Sequence, residues 1–136
     1  MKREILFRGK RIDNEEWVEG SLLTTKYNTY IIPMYDEFVS YQRPISVNSE
    51  TIGQFTGLTD KNGVKIFEGD VIRYIEHNRF LLNSFAAIVC YDSLVAAFGY
   101  INNTQFMYYF SDFDEIDVDF LPHTEVIGNI HDNPNY

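Results

Sequence analysis

The feature that most constrains this chain is a turn between two strand-like segments near its middle. Asn62-Gly63 is the pair preferred in two-residue type I′ turns, because both central residues need φ > 0 and these two tolerate it cheaply. Asp60 precedes the pair and can accept hydrogen bonds from backbone amides of the same loop. β-branched residues follow the turn, with charged residues between them; they are Val64, Ile66 and Val71. These features predict a hairpin over residues 51–75.

A second turn is predicted at Glu68-Gly69, where the hairpin changes direction. The glycine allows a sharp bend or bulge, and Asp70 can accept hydrogen bonds from the amides that the bend frees. A tight hairpin followed by a Gly-Asp bend and a β-branched run is typical of small, strongly bent barrels. The pattern directs folding and contains no group that performs chemistry.

The rest of the chain alternates short apolar segments with turns, which predicts an all-β or β-dominated fold. Strands are predicted over residues 2–7, 15–23, 28–34, 85–91, 98–101, 105–110 and 124–130, with a turn over 8–11. The run 85–91 is apolar throughout and is predicted to be a central, buried strand. Residues 77–84 fit either a long loop or a short helical turn. Residues 36–43 are ambiguous, and 111–120 fit either a short helix or a strand.

Length and composition indicate a folded chain without covalent cross-links. A chain of 136 residues supports one compact domain, or a small barrel with an extension, and buries roughly two-thirds of its unfolded surface. Hydrophobic residues make up 45% and aromatic residues 16%, well above a disordered composition. The only cysteine, Cys90, lies in an apolar run and predicts a buried, reduced thiol, which fits the cytoplasm. No signal peptide or membrane-spanning run is predicted.

Three stretches of the chain form an ordered set of motifs. They are the start, Ile5-Leu6-Phe7-Arg8-Gly9-Lys10 with Trp17-Val18-Glu19-Gly20; the centre, Thr51 to Leu58, Asp60 to Gly63 and Ile66 to Ile72; and the near-terminal Val126-Ile127-Gly128-Asn129-Ile130-His131-Asp132-Asn133-Pro134. Together these motifs resemble the YopX family. The resemblance implies a small protein of bacteriophages and prophages with an SH3-like barrel core and no established activity. Residues 76–121 match no motif of that family.

Taken together, the sequence patterns and the resemblance predict a small SH3-like barrel with an N-terminal β extension. The extension is predicted over residues 1–46 and the barrel over 47–136, centred on 50–91, closed by strand 124–130 and interrupted by an aromatic and acidic insertion at about 92–121. A single domain overall is the alternative.

Four carboxylates fall in the motifs: Asp60, Glu68, Asp70 and Asp132. They fit either an acid–base or metal-binding set, or turn residues that accept backbone hydrogen bonds. The second interpretation is preferred by roughly ten to one, because Asp and Asn in glycine-containing turns do this routinely. Asn62, Gly63, Gly69 and Gly128 are interpreted as structural turn or bend residues in the same way.

An acidic run, residues 112–119, is the weak candidate for a binding surface; its Asp residues are Asp112, Asp114, Asp117 and Asp119. It lacks the glycine and the bidentate glutamate of an EF-hand loop. A solvated face is preferred, and mimicry of a nucleic-acid backbone is the sharper alternative.

Other candidates for chemistry are weak. His77, His123 and His131 are too dispersed for a local zinc motif, and Cys90 is predicted to have a raised pKa and an inert thiol. No nucleophile elbow, phosphate-binding loop or dinucleotide fingerprint is present. No metal site and no cofactor is therefore predicted.

The charge of the chain limits the classes of partner that are expected. The net charge of −9 disfavours a grip on nucleic-acid phosphates and on anionic membranes. Basic residues cluster near the start of the chain, at Lys2, Arg3, Arg8, Lys10 and Arg11, and could contact the acidic run of a neighbouring copy. Large aromatic residues on both faces of 105–110 leave one face for a partner.

The expected function is a non-enzymatic interaction or assembly module in the host cytoplasm. Self-association is expected, with a host or phage protein as another partner. The alternatives are a metal-assisted hydrolase using Asp60, Asp70 and Asp132, and a nucleic-acid-binding barrel using Arg43, Arg73, Arg79 and the N-terminal basic cluster.

Overall fold

The chain folds into antiparallel β-sheets, seen in a computed structural model that describes residues 4–33, 43–77, 82–102, 107–110 and 121–132. The chain is divided into two compact units, residues 1–55 and residues 56–136. The described residues hold eleven strands and two short 3-10 helices, and these ranges contain no α-helix. The all-β prediction is therefore confirmed.

The strands follow one another in chain order. They are β1 (Phe7–Lys10), β2 (Trp17–Thr24), β3 (Thr29–Pro33), β4 (Ile45–Ser46), β5 (Gly53–Thr59), β6 (Lys65–Phe67), β7 (Asp70–His77), β8 (Leu82–Asp92), β9 (Ala97–Ile101), β10 (Met107–Tyr109) and β11 (Thr124–Asn129). The 3-10 helices are Ser49–Thr51 and Leu121–His123.

In the first unit the strand order is β4-β3-β2-β1-β5, with every described pair antiparallel. Close backbone packing explains its glycines. A Cβ on Gly20 of β2 would lie 1.9 Å from the carbonyl oxygen of Ile32 on β3. A Cβ on Gly9 of β1 would lie 2.8 Å from Cδ1 of Ile52. Gly20 requires glycine because backbone atoms occupy the space of a side chain, whereas at Gly9 the Ile52 side chain would have to shift.

The predicted position of the first strand is wrong. Residues 7–10 form β1, where a turn was predicted over 8–11, and residues 4–6 are not in a strand. The glycine that suggested a turn packs closely against its neighbours instead. Residues 7–10 are extended because they pair with β2, and Phe7 and Arg8 also pair with β5. The cationic groups of Arg8 and Lys10 lie over the Trp17 ring of β2. The chain then turns at residues 12–14.

In the second unit the strand order is β10-β9-β8-β7-β11, and β5 pairs with β6. The bend at Glu68-Gly69 leads from β6 into β7, as predicted, with Gly69 at φ +86°. The Gly69 amide donates to the Val89 carbonyl oxygen at 2.8 Å, and the Gly69 carbonyl oxygen accepts from the Ile130 amide at 2.9 Å. The bend is thus held by β8 and by the end of β11.

The core of the second unit is built from residues of β6 to β9 together with Phe110; its buried members are Ile66, Ile72, Tyr74, Ala87, Val89, Tyr100 and Phe110. β8 lies between β7 and β9, so the central position predicted for strand 85–91 is confirmed. Its predicted burial is wrong in part, because Ala87 and Val89 are buried whereas Ala86 and Tyr91 are exposed. The predicted hairpin of 98–101 with 105–110 is also confirmed where it is described, since β9 pairs with β10. Both alternatives for 77–84 are wrong at residues 82–84, which pair with 75–77 as strands.

The SH3-like barrel is not confirmed. Neither sheet of the described chain closes on itself: β4 and β6 are the edges of one, and β10 and β11 are the edges of the other. The strand 124–130 was expected to close a barrel, and it pairs with β7 at an open edge instead. Predictions for residues 2–3, 36–42, 78–81 and 111–120 lie outside the described residues.

The fit around Gly20 can be tested by adding one methyl group. We expect Gly20→Ala to lower the unfolding free energy by about 3 kcal/mol or more, because its Cβ would overlap the Ile32 carbonyl. Gly57→Ala is the control, since no atom lies within 4 Å of its Cβ and only the positive φ of +87° opposes it, at about 1–2 kcal/mol. Urea unfolding measures both, and an equal loss would contradict the packing account.

The buried Tyr100 makes the stability of the second unit depend on pH. Burial raises its pKa to about 12, with Tyr108 and Tyr74 adding smaller effects. The contribution of the neutral Tyr100 side chain to the unfolding free energy is therefore fully present below the ordinary pKa of about 10. It is lost as pH rises towards the folded-state pKa of about 12. We expect up to about 2 kcal/mol of this alkaline loss to disappear in Tyr100→Phe. Tyr27→Phe is the control, because Tyr27 is 82% exposed. This variant should retain the alkaline loss of stability when unfolding is measured at pH 8 to 12.

Candidate functional site

The Asp60 carboxylate joins separate parts of the backbone in the central segment and is 6% exposed. Its Oδ1 accepts the Asn62 amide at 2.8 Å and the Val64 amide at 3.0 Å. Its Oδ2 accepts the Val126 amide of β11 at 2.9 Å. Both carboxylate oxygens are therefore used to hold backbone, two amides in the local loop and one in a distant strand.

The turn beside Asp60 is not the predicted type I′ turn. Gly63 has φ +77°, while Asn62 is not among the described non-glycine residues with positive φ. The Gly63 amide donates to the Asp60 carbonyl oxygen at 3.0 Å, and the Asp60 amide donates to the Val64 carbonyl oxygen at 2.9 Å. This is a three-residue loop in which only the last residue is left-handed. The longer loop places the Asp60 side chain where it reaches its own loop and β11.

The same loop covers part of the open edge of β11. Beside the bond from Val126 to Asp60, the Lys61 amide donates to the Thr124 carbonyl oxygen at 3.0 Å. One acceptor and one donor from the loop thus occupy places that a neighbouring strand would fill. Outside them, Glu125 accepts from Arg73 at 3.1 Å and lies 3.7 Å from the Lys61 ammonium group. This part of the β11 edge is therefore covered by the β5–β6 loop and not by another strand.

Asp70 has a comparable local role. It is 1% exposed, and its Oδ2 accepts the Phe67 amide at 2.8 Å, across the Glu68-Gly69 bend. Burial of a carboxylate is tolerated where it accepts hydrogen bonds from backbone amides. The side chain fixes the bend by which the chain leaves β6.

The near-terminal motif also forms a turn. Asn129 accepts the His131 amide at 3.0 Å and the Asp132 amide at 2.9 Å, and its Nδ2 donates to Asp132 at 2.8 Å. The register of β11 shifts between Val126 and Gly128, which places a bulge there. Asn129 was not singled out from the sequence, although an Asn ahead of an Asp-Asn-Pro segment is a recognisable turn signal.

Three of the four motif carboxylates accept different hydrogen bonds in the described chain. Asp60 and Asp70 hold separate backbone amides, and Asp132 is held by Asn129. Within the described ranges no three His, Cys, Asp or Glu side chains are grouped as a metal centre requires. The hydrolase alternative therefore gains no support from the positions of these side chains.

The other candidate side chains are dispersed. Cys90 is half-buried rather than buried, and burial, followed by the charges of Glu68 and Asp92, raises the pKa of its thiol. His123 packs edge-on against Tyr74, with ring centroids 6.3 Å apart. The acidic residues Asp112, Asp114, Asp117 and Asp119 lie outside the described residues.

Two surface features were not found by sequence reasoning. At the β8–β9 turn, Leu94 is 93% exposed and Val95 56% exposed, close in sequence to the half-exposed Tyr91. On the first unit, the Arg8 guanidinium lies 4.6 Å and the Lys10 ammonium group 5.5 Å from the Trp17 ring centroid. No helix in the described ranges has the length and apolar character needed to cross a membrane.

The fold and these contacts define a class: an all-β protein with two open antiparallel sheets, whose motif carboxylates and glycines shape the backbone. The chain belongs to the YopX family, since the family model described as YopX protein matches residues 6–136. The resemblance found in the motifs is therefore confirmed over nearly the whole chain.

A solved structure shares the fold. Protein EF1440 from Enterococcus faecalis, known from a crystal structure, is similar to this chain with a TM-score of 0.57 and 24% sequence identity. The similarity covers 97% of this chain and 96% of that one. Comparison with curated proteins found no significant match.

The Asp60 junction can be tested by removing its acceptors. We expect Asp60→Ala to lower the unfolding free energy by about 3 kcal/mol or more, because three amides lose their partner in a largely buried site. Asp60→Asn retains one acceptor oxygen and should cost roughly half as much. Asp13→Asn is the control, because the exposed Asp13 carboxylate pairs with the Arg11 side chain at the surface and should leave urea unfolding nearly unchanged. Equal stability of Asp60→Ala and the control would contradict the role given to Asp60.

Proposed function

We propose that this protein is a non-enzymatic interaction and assembly module of bacteriophage or prophage origin, which associates with copies of itself in the host cytoplasm. The observation that carries the proposal is the apolar tip of the β8–β9 hairpin, defined by Tyr91, Leu94 and Val95. Their exposed fractions are 44%, 93% and 56%. Turn residues are ordinarily polar or glycine, so two large aliphatic side chains at a hairpin tip are unusual.

Two hydrogen bonds and one ring contact support the tip. Asp92 accepts the Leu94 amide at 2.9 Å through Oδ1 and the Tyr109 hydroxyl at 2.7 Å through Oδ2. One carboxylate therefore fixes the turn and links it to β10. The Tyr91 ring packs edge-on against Phe98 at 5.0 Å. A rigid apolar surface binds a partner with less loss of conformational entropy than a mobile one.

Ala96 adds to this argument because it has φ +53°, a left-handed conformation that costs an alanine about 1 kcal/mol. Glycine would relieve that cost. The turn thus combines an unfavourable backbone conformation with exposed aliphatic side chains, and both are explained if the tip is selected for contact with another protein.

A second copy of the chain is the partner we favour, because each copy carries the same apolar tip and a pair of tips would cover each other. The proposed phage or prophage origin rests on what the resemblance to the YopX family implies. A host or phage protein is the other partner class.

Self-association tests the proposal directly. We expect sedimentation velocity to show species heavier than the 16.0 kDa chain as concentration rises, and Leu94→Ser with Val95→Ser to return the protein to a monomer. Ile12→Ser is the matched control, since it removes a 64% exposed aliphatic side chain on the other unit and should leave assembly unchanged. A monomer at every concentration, or equal assembly of the double variant, would overturn the proposal.

A further inference from the structure

The first unit carries a second surface, which we call the cation–aromatic surface and define by Arg8, Lys10 and Trp17. Arg8 and Lys10 are two residues apart on β1, so they point to one face of the sheet. Trp17 lies opposite Lys10 on β2. The two cations lie over the same indole ring, at 4.6 Å and 5.5 Å from its centroid.

We propose that this surface binds an acidic segment containing aromatic residues, supplied by residues 111–120 of a second copy of the chain. The inference rests on the proposed function as an assembly module and names the chemistry of a second contact. Stacking on the indole restricts the directions of both half-buried cations. Cations held in place lose less side-chain entropy when a carboxylate binds.

The charge distribution within the chain identifies the partner. Residues 1–55 carry seven Lys and Arg against eight Asp and Glu, while residues 56–136 carry four against twelve. No Lys or Arg follows Arg79. Residues 111–120 hold four Asp and one Glu interspersed with Phe, Ile and Val. Such a segment offers carboxylates to the two cations and apolar side chains to the indole.

Nucleic acid is the competing anionic partner, and the observations favour it less. The whole chain has a net charge of −9, which repels a phosphate backbone at long range. A short peptide segment presents alternating charged and apolar groups, whereas a phosphate backbone presents continuous charge. Nucleic-acid binding is therefore an outcome that the test must distinguish.

Glu19 gives the inference an opposite-sign test. It is exposed on β2 directly opposite Arg8, on the same face as the cation–aromatic surface. Its carboxylate repels an acidic ligand that approaches Arg8. Removing that charge should strengthen binding, whereas removing the charges of Arg8 and Lys10 should weaken it. A merely structural role of these side chains would not produce opposite effects.

The test measures binding of a fluorescent peptide with the sequence of residues 111–120 to the full chain by anisotropy. Arg8→Gln with Lys10→Gln should weaken binding roughly five- to tenfold, and Glu19→Gln should tighten it roughly two- to fivefold. Lys26→Gln is the matched control, because it removes a cation that lies 5.4 Å from the Tyr27 ring centroid elsewhere on the same unit. Its binding should stay within about twofold of wild type. Circular dichroism checks that each variant is folded.

Three further arms decide the outcome. A peptide with its four Asp changed to Asn should not bind, and binding of the acidic peptide should weaken as salt rises. Leu94→Ser with Val95→Ser should bind the peptide as wild type does, so failure of the apolar-tip proposal and failure of this one can be told apart. No peptide binding, or tighter binding of a single-stranded DNA oligomer of equal charge, would overturn the inference.

Discussion

The second unit depends on one carboxylate. Asp60 accepts two amides of its own loop and the amide of Val126, which lies 66 residues further along the chain. Hydrogen bonds from amides to a charged acceptor are about twice as strong as neutral ones, and an unmatched buried amide is costly. The carboxylate therefore holds the β5–β6 loop against β11 without any continuous strand pairing between them.

That bridge explains how an open sheet keeps an edge covered. β11 pairs with β7 on one side, and on the other the Asp60 carboxylate and the Lys61 amide take up Val126 and Thr124. The covered edge therefore presents fewer unpaired backbone groups with which a strand of another molecule could form hydrogen bonds. Asp70 and Asn129 hold nearby turns by the same chemistry. Asp60, Asp70 and Asn129 thus accept hydrogen bonds that shape the backbone, and the surfaces proposed for binding are the β8–β9 tip and the surface around Trp17.

Local patterns in the sequence predicted much of this fold, and long-range contacts decided the rest. Apolar alternation and β-branched residues were sufficient to place β8 at the centre of its sheet and to predict the hairpin of β9 and β10. The Asn62-Gly63 pair predicted a turn but not its type, because the three-residue loop depends on the reach of Asp60 to Val126. Gly9 suggested a turn because nothing local reveals that Ile52 packs against it.

The candidate surfaces were harder to predict than the strands. Leu94 and Val95 lie in a stretch for which the sequence predicted neither a strand nor a turn, and the closed β8–β9 turn shows them exposed. The basic cluster was visible in the sequence, but its placement over Trp17 follows from the register of β1 with β2. Spacing along the chain cannot show which cation faces which ring, because strand register sets that.

Amide hydrogen exchange at the Asp60 junction tests the central claim most directly. Three amides should exchange slowly in the native protein, with protection close to that of amides paired within β7 and β8; they belong to Asn62, Val64 and Val126. Asn62 and Val64 are informative because loop amides without a partner exchange quickly. Slow exchange at all three sites is the result this account predicts, and exchange at the rate of solvent-exposed loop amides would contradict it.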